Sequence, residues 1–182
     1  EFFYHENLVH LPGITHPAPE RALIVGGGDG GSAEELLKYP SMKKVTLAEI
    51  DMAVVDVSRK YLASVHKGSL DDPRLDLRIG DGFAYVRETS DTFDLIVLDL
   101  TDPGGPSLEL YTPEFYRACA SRLTSLGAMA LHIASPIANP TAPTSSRPSR
   151  SCARAGSTGP SCGHRSSKTA RPADAIGART VR

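Results

Sequence analysis

The chain has 182 residues, 40 % of them hydrophobic, a length that carries one domain with a real core rather than two. It contains no apolar run near the roughly 20 residues that cross a bilayer, and its opening, EFFYHENLVH, lacks the layout of a secretion signal, so a cytoplasmic location and no membrane partner are expected. The net charge of −1 hides a split, because residues 140–182 carry eight basic residues against Asp174 while residues 1–139 carry 12 basic and 20 acidic ones; an acidic body argues against a nucleic-acid partner, which is gripped through Lys and Arg.

Glu1 rather than Met opens the chain, so it is expected to begin inside a longer polypeptide, and residues 1–20 read as a lead-in segment. A buried strand is predicted over 21–27 (RALIVGG), then a helix over 32–39, a strand over 44–50 and a helix over 52–62. A third strand covers 75–81, a short helix lies within 83–88, and FDLIVLDL supplies the fourth strand at 93–100. Pro113 opens a helix at its first turn over 113–123, and GAMALHI at 127–133 is the fifth strand. Strand and helix in this alternation imply an α/β fold, a doubly wound and mostly parallel Rossmann-like sheet with right-handed crossovers, over residues 21–139.

From Pro140 onward there is no Leu, no aromatic residue and no apolar period. A basic low-complexity segment of this kind cannot offset its ordering entropy and is expected to be disordered; an out-of-frame stretch of a GC-rich gene is expected from so abrupt a break, ahead of a basic tail that binds something anionic. Cys119, Cys152 and Cys162 show neither metal-ligand spacing nor a paired framework, and reduced thiols are expected.

Ligands of doubly wound sheets bind outside the carboxyl ends of the strands. Here each of the first four ends is acidic: Asp29 in GGGDGG, Glu49 with Asp51, Asp81 in GDG, and Asp99 with Asp102 in LDLTDPGGP. Gly26, Gly28 and Gly31 fit G-x-G-x-x-G, and Glu49 follows Gly28 by 21 positions, near the spacing of a ribose-binding acid. That pattern alone is shared by nicotinamide, flavin and S-adenosylmethionine enzymes. Asp29 discriminates, because a carboxylate inside the loop would repel the pyrophosphate of a dinucleotide from the helix N-terminus. Asp29 as a mere helix cap leaves the other acidic ends unexplained. Their sum favours a cationic ligand, and decarboxylated S-adenosylmethionine, which has lost its carboxylate, suits them better than the parent compound.

Across roughly residues 1–135 the chain resembles the polyamine aminopropyltransferases, the spermidine synthases above all, through EFFYHENLVH, RALIVGGGDGGS, KVTLAEID, DDPRLDLRIGDG and FDLIVLDLTDPGGP followed by LYTPEFY. The resemblance implies a methyltransferase-like Rossmann domain, incomplete here at the C-terminal edge, that passes an aminopropyl group from decarboxylated S-adenosylmethionine to putrescine. It implies Asp99 as proton acceptor, Asp102, His5 and Asp29 as amine contacts with Tyr4 beside them, and Glu49 as ribose acceptor. Asp81 and Gly82 would meet adenine, and Pro106 would sit in the loop over the nucleoside, with Gly26 and Gly28 below it. The resemblance implies no metal and no cofactor beyond the co-substrate, and a family-like homodimer or homotetramer. Asp51, Asp71 and Asp72 read as caps and turn formers. The competing readings are a small-molecule methyltransferase on the same fold and an inactive fragment that binds nucleoside or polyamine.

Overall fold

Apolar side chains alternate between two faces along RALIVG, and this alternation fixes the layers. A computed structural model describes residues 2–101, 103 and 105–132, with the backbone alone for Phe2, Gly105 and Pro106. Five strands, β1 (Arg21–Gly26), β2 (Lys44–Glu49), β3 (Leu75–Ile79), β4 (Phe93–Asp99) and β5 (Leu123–Leu131), form one sheet in the order β3-β2-β1-β4-β5. Every pairing is parallel, so the sheet is wholly rather than mostly parallel within the described residues. The helices are α1 (Phe2–Gly13), α2 (Gly31–Leu37), α3 (Met52–Tyr61), α4 (Ala63–His66), α5 (Gly82–Glu88) and α6 (Pro113–Ser121).

Ala22 and Ile24 of β1, with Leu95 and Val97 of β4, face a core closed by Leu8 and Val9 of α1, Ala33 and Leu36 of α2, and Val55 of α3. Leu23 and Val25, with Ile96 and Leu98, face the opposite core under Val86 of α5 and Phe115 and Cys119 of α6. Strands buried on both faces read as continuous apolar runs, as the central strands do here. Cys119 is a free thiol, pushed up to about 12 by burial.

One element has no secondary structure assigned from the sequence, and one differs from the sequence expectation. The lead-in forms a helix: α1 runs through the start of the chain and docks Leu8 and Val9 in the core, each worth about 1.5–3 kcal/mol of apolar burial. The fifth strand begins at Leu123, four positions earlier than the periodicity suggests, because Phe93 pairs with Leu123 ahead of an irregularity and Leu95 resumes with Ala128. The basic segment 140–182, with Cys152 and Cys162, lies outside the described residues, and among the described residues no helix is long and apolar enough to cross a membrane.

Strand order reverses direction between β1 and β4, which makes their carboxyl ends the switch point where a crevice opens. Gly26 and Asp99 are register partners there. Gly26 has φ +80°, and a Cβ on it would overlap the Asp99 carbonyl, so the glycine lets the two strand ends close up.

Candidate active site

Asp99 is the last residue of β4, where the sheet holds its backbone rigidly. Its side chain is 9 % exposed. The Tyr4 hydroxyl donates to Oδ1 at 2.7 Å and the Ser32 hydroxyl donates to Oδ2 at 2.6 Å. Burial pushes the Asp99 carboxyl above the ordinary carboxylate range; the two hydroxyl donors pull it back, and the neighbouring Asp29 charge adds to the rise. Burial, followed by the charge of Asp99, drives the Tyr4 hydroxyl far upward, so Tyr4 stays protonated and remains a donor.

Asp29 sits in the glycine loop before α2. Its Oδ1 accepts the Gly31 amide at 2.9 Å, and its Oδ2 lies 3.4 Å from His5 Nε2. Burial opposes ionisation of Asp29, yet the His5 and Gly31 hydrogen bonds outweigh it and hold the carboxyl below the ordinary range. Two neighbouring carboxylates are thus pushed in opposite directions, Asp29 below and Asp99 above the ordinary range. Asp29 also ties down the start of α2, so its local and electrostatic roles coexist. The position before Gly31 is Gly30 in the left-handed region, with no side chain to cap the helix.

His5 is buried, 5 % exposed, rather than a solvated N-terminal side chain. Besides Asp29 it approaches Asp99 Oδ2 at 3.8 Å. The last glycine of the loop is what admits it: a Cβ on Gly31 would overlap the imidazole. Donor atoms of His5, Asp29 and Asp99 lie within 4.8 Å of one another, a spacing that suits a small cationic group, whether a metal ion or an ammonium.

A cleft of about 680 Å³ opens beside these carboxylates, over the switch point. Its polar wall carries Gly28, Glu49, Asp81 and Asp99, and Ile50 and Val54 give it an apolar side. Glu49 closes β2; its Oε2 accepts the Gly28 amide at 3.0 Å and its Oε1 the Asp51 amide at 3.0 Å, which orients the carboxylate toward the loop. Asp81 caps α5 by accepting the Phe83 amide at 2.7 Å, and Gly82 lets Val25 approach so closely that a Cβ would meet it at 2.6 Å. Pro106 belongs to the 3-10 segment Gly105–Tyr111, whose Ser107, Glu109 and Leu110 line the cleft. That segment is pinned by the Tyr111 hydroxyl, which donates to the Thr101 carbonyl at 2.6 Å. Asp102 lies outside the described residues.

The structure therefore gathers His5, Asp29 and Asp99, with Tyr4, into one cluster, and sets Gly26, Gly28, Glu49, Asp81 and Gly82 around the adjoining cleft. Asp51 caps α3 through the Ala53 amide at 2.8 Å, as its position suggests. Sequence reasoning passed over Ser32 and over the polar tie that seats α1. In that tie His10 Nε2 meets Glu35 Oε2 at 2.9 Å and His10 Nδ1 meets the Tyr39 hydroxyl at 2.9 Å. Only the place of Ser32, directly after the glycines, could have drawn notice.

Comparison with known proteins covers the same segment. A family described as the spermine/spermidine synthase domain matches residues 1–146. A polyamine aminopropyltransferase of Nitrosomonas europaea is 57 % identical over 137 residues, 75 % of this chain and 42 % of the relative. That of Bacillus subtilis is 47 % identical over 127 residues, 70 % of this chain and 46 % of the relative. Among solved structures, a spermidine synthase in complex with the transition-state analogue AdoDATO superposes with a TM-score of 0.74 at 42 % identity, covering 78 % of this chain and 48 % of that one. A spermidine synthase from Thermotoga maritima superposes with a TM-score of 0.66 at 41 % identity, covering 75 % and 44 %. The chain spans about half the length of the curated relatives it matches.

Proposed function

Because the chain belongs to the spermine/spermidine synthase domain family, we propose that it transfers the aminopropyl group of decarboxylated S-adenosylmethionine to putrescine, releasing spermidine and methylthioadenosine. The observation that carries this reading is the pairing of Asp29, held by His5 and the Gly31 amide, with a buried, hydroxyl-clamped Asp99 at the mouth of a cleft of about 680 Å³. A dication fits such a site, and a dinucleotide phosphate does not.

An alkylamine has a pKa near that of Lys, about 10.4, so roughly one putrescine nitrogen in a thousand is nucleophilic at neutral pH. Asp99 accepts the amine proton. The freed nitrogen pair attacks the carbon beside the sulfonium; the new N–C bond forms as the C–S bond breaks, and its electrons neutralise the sulfur. Asp29 with His5 holds the ammonium end of the aminopropyl group, and Glu49 accepts the ribose hydroxyls. Asp81 and Gly82, on the wall of the cleft, contact adenine, and the segment containing Pro106 covers the nucleoside. Asp102, three positions after Asp99 and outside the described residues, is assigned the grip on the acceptor amine. Neither a metal nor a further cofactor enters these steps. A cytoplasmic enzyme acting as a homodimer or homotetramer, on small molecules and not on nucleic acid, completes the reading.

Calorimetry tests the donor. Decarboxylated S-adenosylmethionine should bind at least tenfold more tightly than S-adenosylmethionine, since Asp29 attracts the ammonium and repels the carboxylate. Tighter binding of the carboxylated form would overturn the proposal in favour of a methyltransferase.

A further inference from the structure

We propose that Ser32 is a positioning residue for the transfer reaction, fixing the Oδ2 edge of Asp99 and keeping that carboxyl in its proton-accepting state. This rests on the aminopropyl-transfer reading above. Ser32 is wholly buried in the first turn of α2, and its hydroxyl reaches across 67 positions to Asp99 Oδ2 at 2.6 Å. Nothing in the helix calls for a hydroxyl there. Alanine has the higher helix propensity, and a serine so near a helix start ordinarily bonds its own backbone. The side chain instead serves the end of β4.

Two hydroxyls on opposite oxygens hold the carboxylate plane still: Tyr4 on Oδ1 and Ser32 on Oδ2. Each oxygen retains a second lone pair, which leaves room for the amine proton. In the transfer step the substrate N–H bond breaks, its electron pair stays on nitrogen, and the proton bonds to Asp99. A hydroxyl can rotate, so Ser32 can donate to the ionised carboxylate and accept from the protonated one. The titratable groups facing Asp99 are Tyr4 and His5 from α1 and Asp29 from the glycine loop, while His132 beyond β5 packs edge-on against the Tyr4 ring. Ser32 does not titrate in the working range. Its loss should therefore move the titration of Asp99 without adding a new step.

The test uses the full chain with Ser32→Ala and Ser32→Thr, read in two ways. The pH profile of transfer should show its acid limb moved upward by about one unit in Ser32→Ala, the tenfold change expected when a charge-assisted hydrogen bond is lost. Ser32→Thr should restore the parent limb. The carboxyl-carbon NMR titration of Asp99, identified by its disappearance in Asp99→Asn, should shift in the same direction and requires no turnover. Should Ser32→Ala not fold, Ser32→Cys, similar in size and a weaker donor, should move the acid limb and the Asp99 carboxyl titration upward from the parent by less than about one unit. A transferring enzyme whose limb and carboxyl titration stay in place overturns the role of Ser32 and leaves aminopropyl transfer standing. A shifted titration in a chain that transfers nothing upholds the grip of Ser32 on Asp99 and overturns the transfer reading instead.

Discussion

Tyr4 and Asp99, 95 positions apart, share a 2.7 Å hydrogen bond in which the phenol donates to the carboxylate. It exists because α1 lies across one face of the sheet and delivers its N-terminal side chains to the carboxyl end of β4. Tyr4→Phe keeps the ring and removes the donor. Transfer at neutral pH should fall about tenfold, the worth of one hydrogen bond to a charged group, and stability should fall by about 1.5 kcal/mol for the same reason. Steady-state kinetics beside thermal denaturation checks both halves.

Asp99→Asn keeps the shape and removes the base. Turnover should drop by roughly 10²–10⁴, the usual contribution of general base catalysis, while nucleoside affinity holds. Stability should move the other way. Burial raises the carboxyl of Asp99 in the folded chain, so its ionised form opposes folding; that cost is absent below the unfolded carboxyl range and complete once pH exceeds the folded value. At neutral pH the neutral amide escapes the cost, and Tm should rise by a few degrees. An unchanged or lower Tm would mean that the amide finds worse partners than the carboxylate.

Gly31→Ala should cost about 1–3 kcal/mol, as overpacking does, because the added Cβ overlaps the His5 ring. The double variant with His5→Ala should recover most of that stability. Chemical denaturation of the four proteins measures the coupling, and simple additivity would place His5 elsewhere.

Acid should unfold the chain through its anchoring carboxylates. Burial works against ionisation of Asp94, yet the Glu20 and Arg21 amides, at 2.8 and 3.1 Å, and the Thr124 hydroxyl outweigh it and hold its carboxyl low. Asp29 is held low in the same manner. Groups with a depressed folded value stabilise above the unfolded range and lose that contribution as pH falls, here below about pH 4. Stability measured against pH should decline there, and Asp94→Asn should flatten the decline.

The sheet was legible in the sequence because its central strands are short apolar runs closed by glycine or acid, and the carboxyl-end rule then gathered Asp29, Glu49, Asp81 and Asp99 on one rim. The helical form of the lead-in was not legible. Phe3 and Leu11 of α1 face outward while Leu8 and Val9 face inward, so no clean amphipathic period marks it. What seats α1 is the long-range contact of His10 with Glu35 and Tyr39, which no local pattern encodes. Ser32 escaped notice for the same reason: its partner is a strand end far along the chain. The early start of β5 reflects pairing of Leu123 with Phe93, a tertiary choice as well.

Incubating the chain with decarboxylated S-adenosylmethionine and putrescine and following the products by mass spectrometry tests the central claim most directly. Aminopropyl transfer predicts methylthioadenosine and spermidine in equal amounts, abolished by Asp99→Asn. Binding of both substrates without either product, or product that persists undiminished in Asp99→Asn, would contradict it.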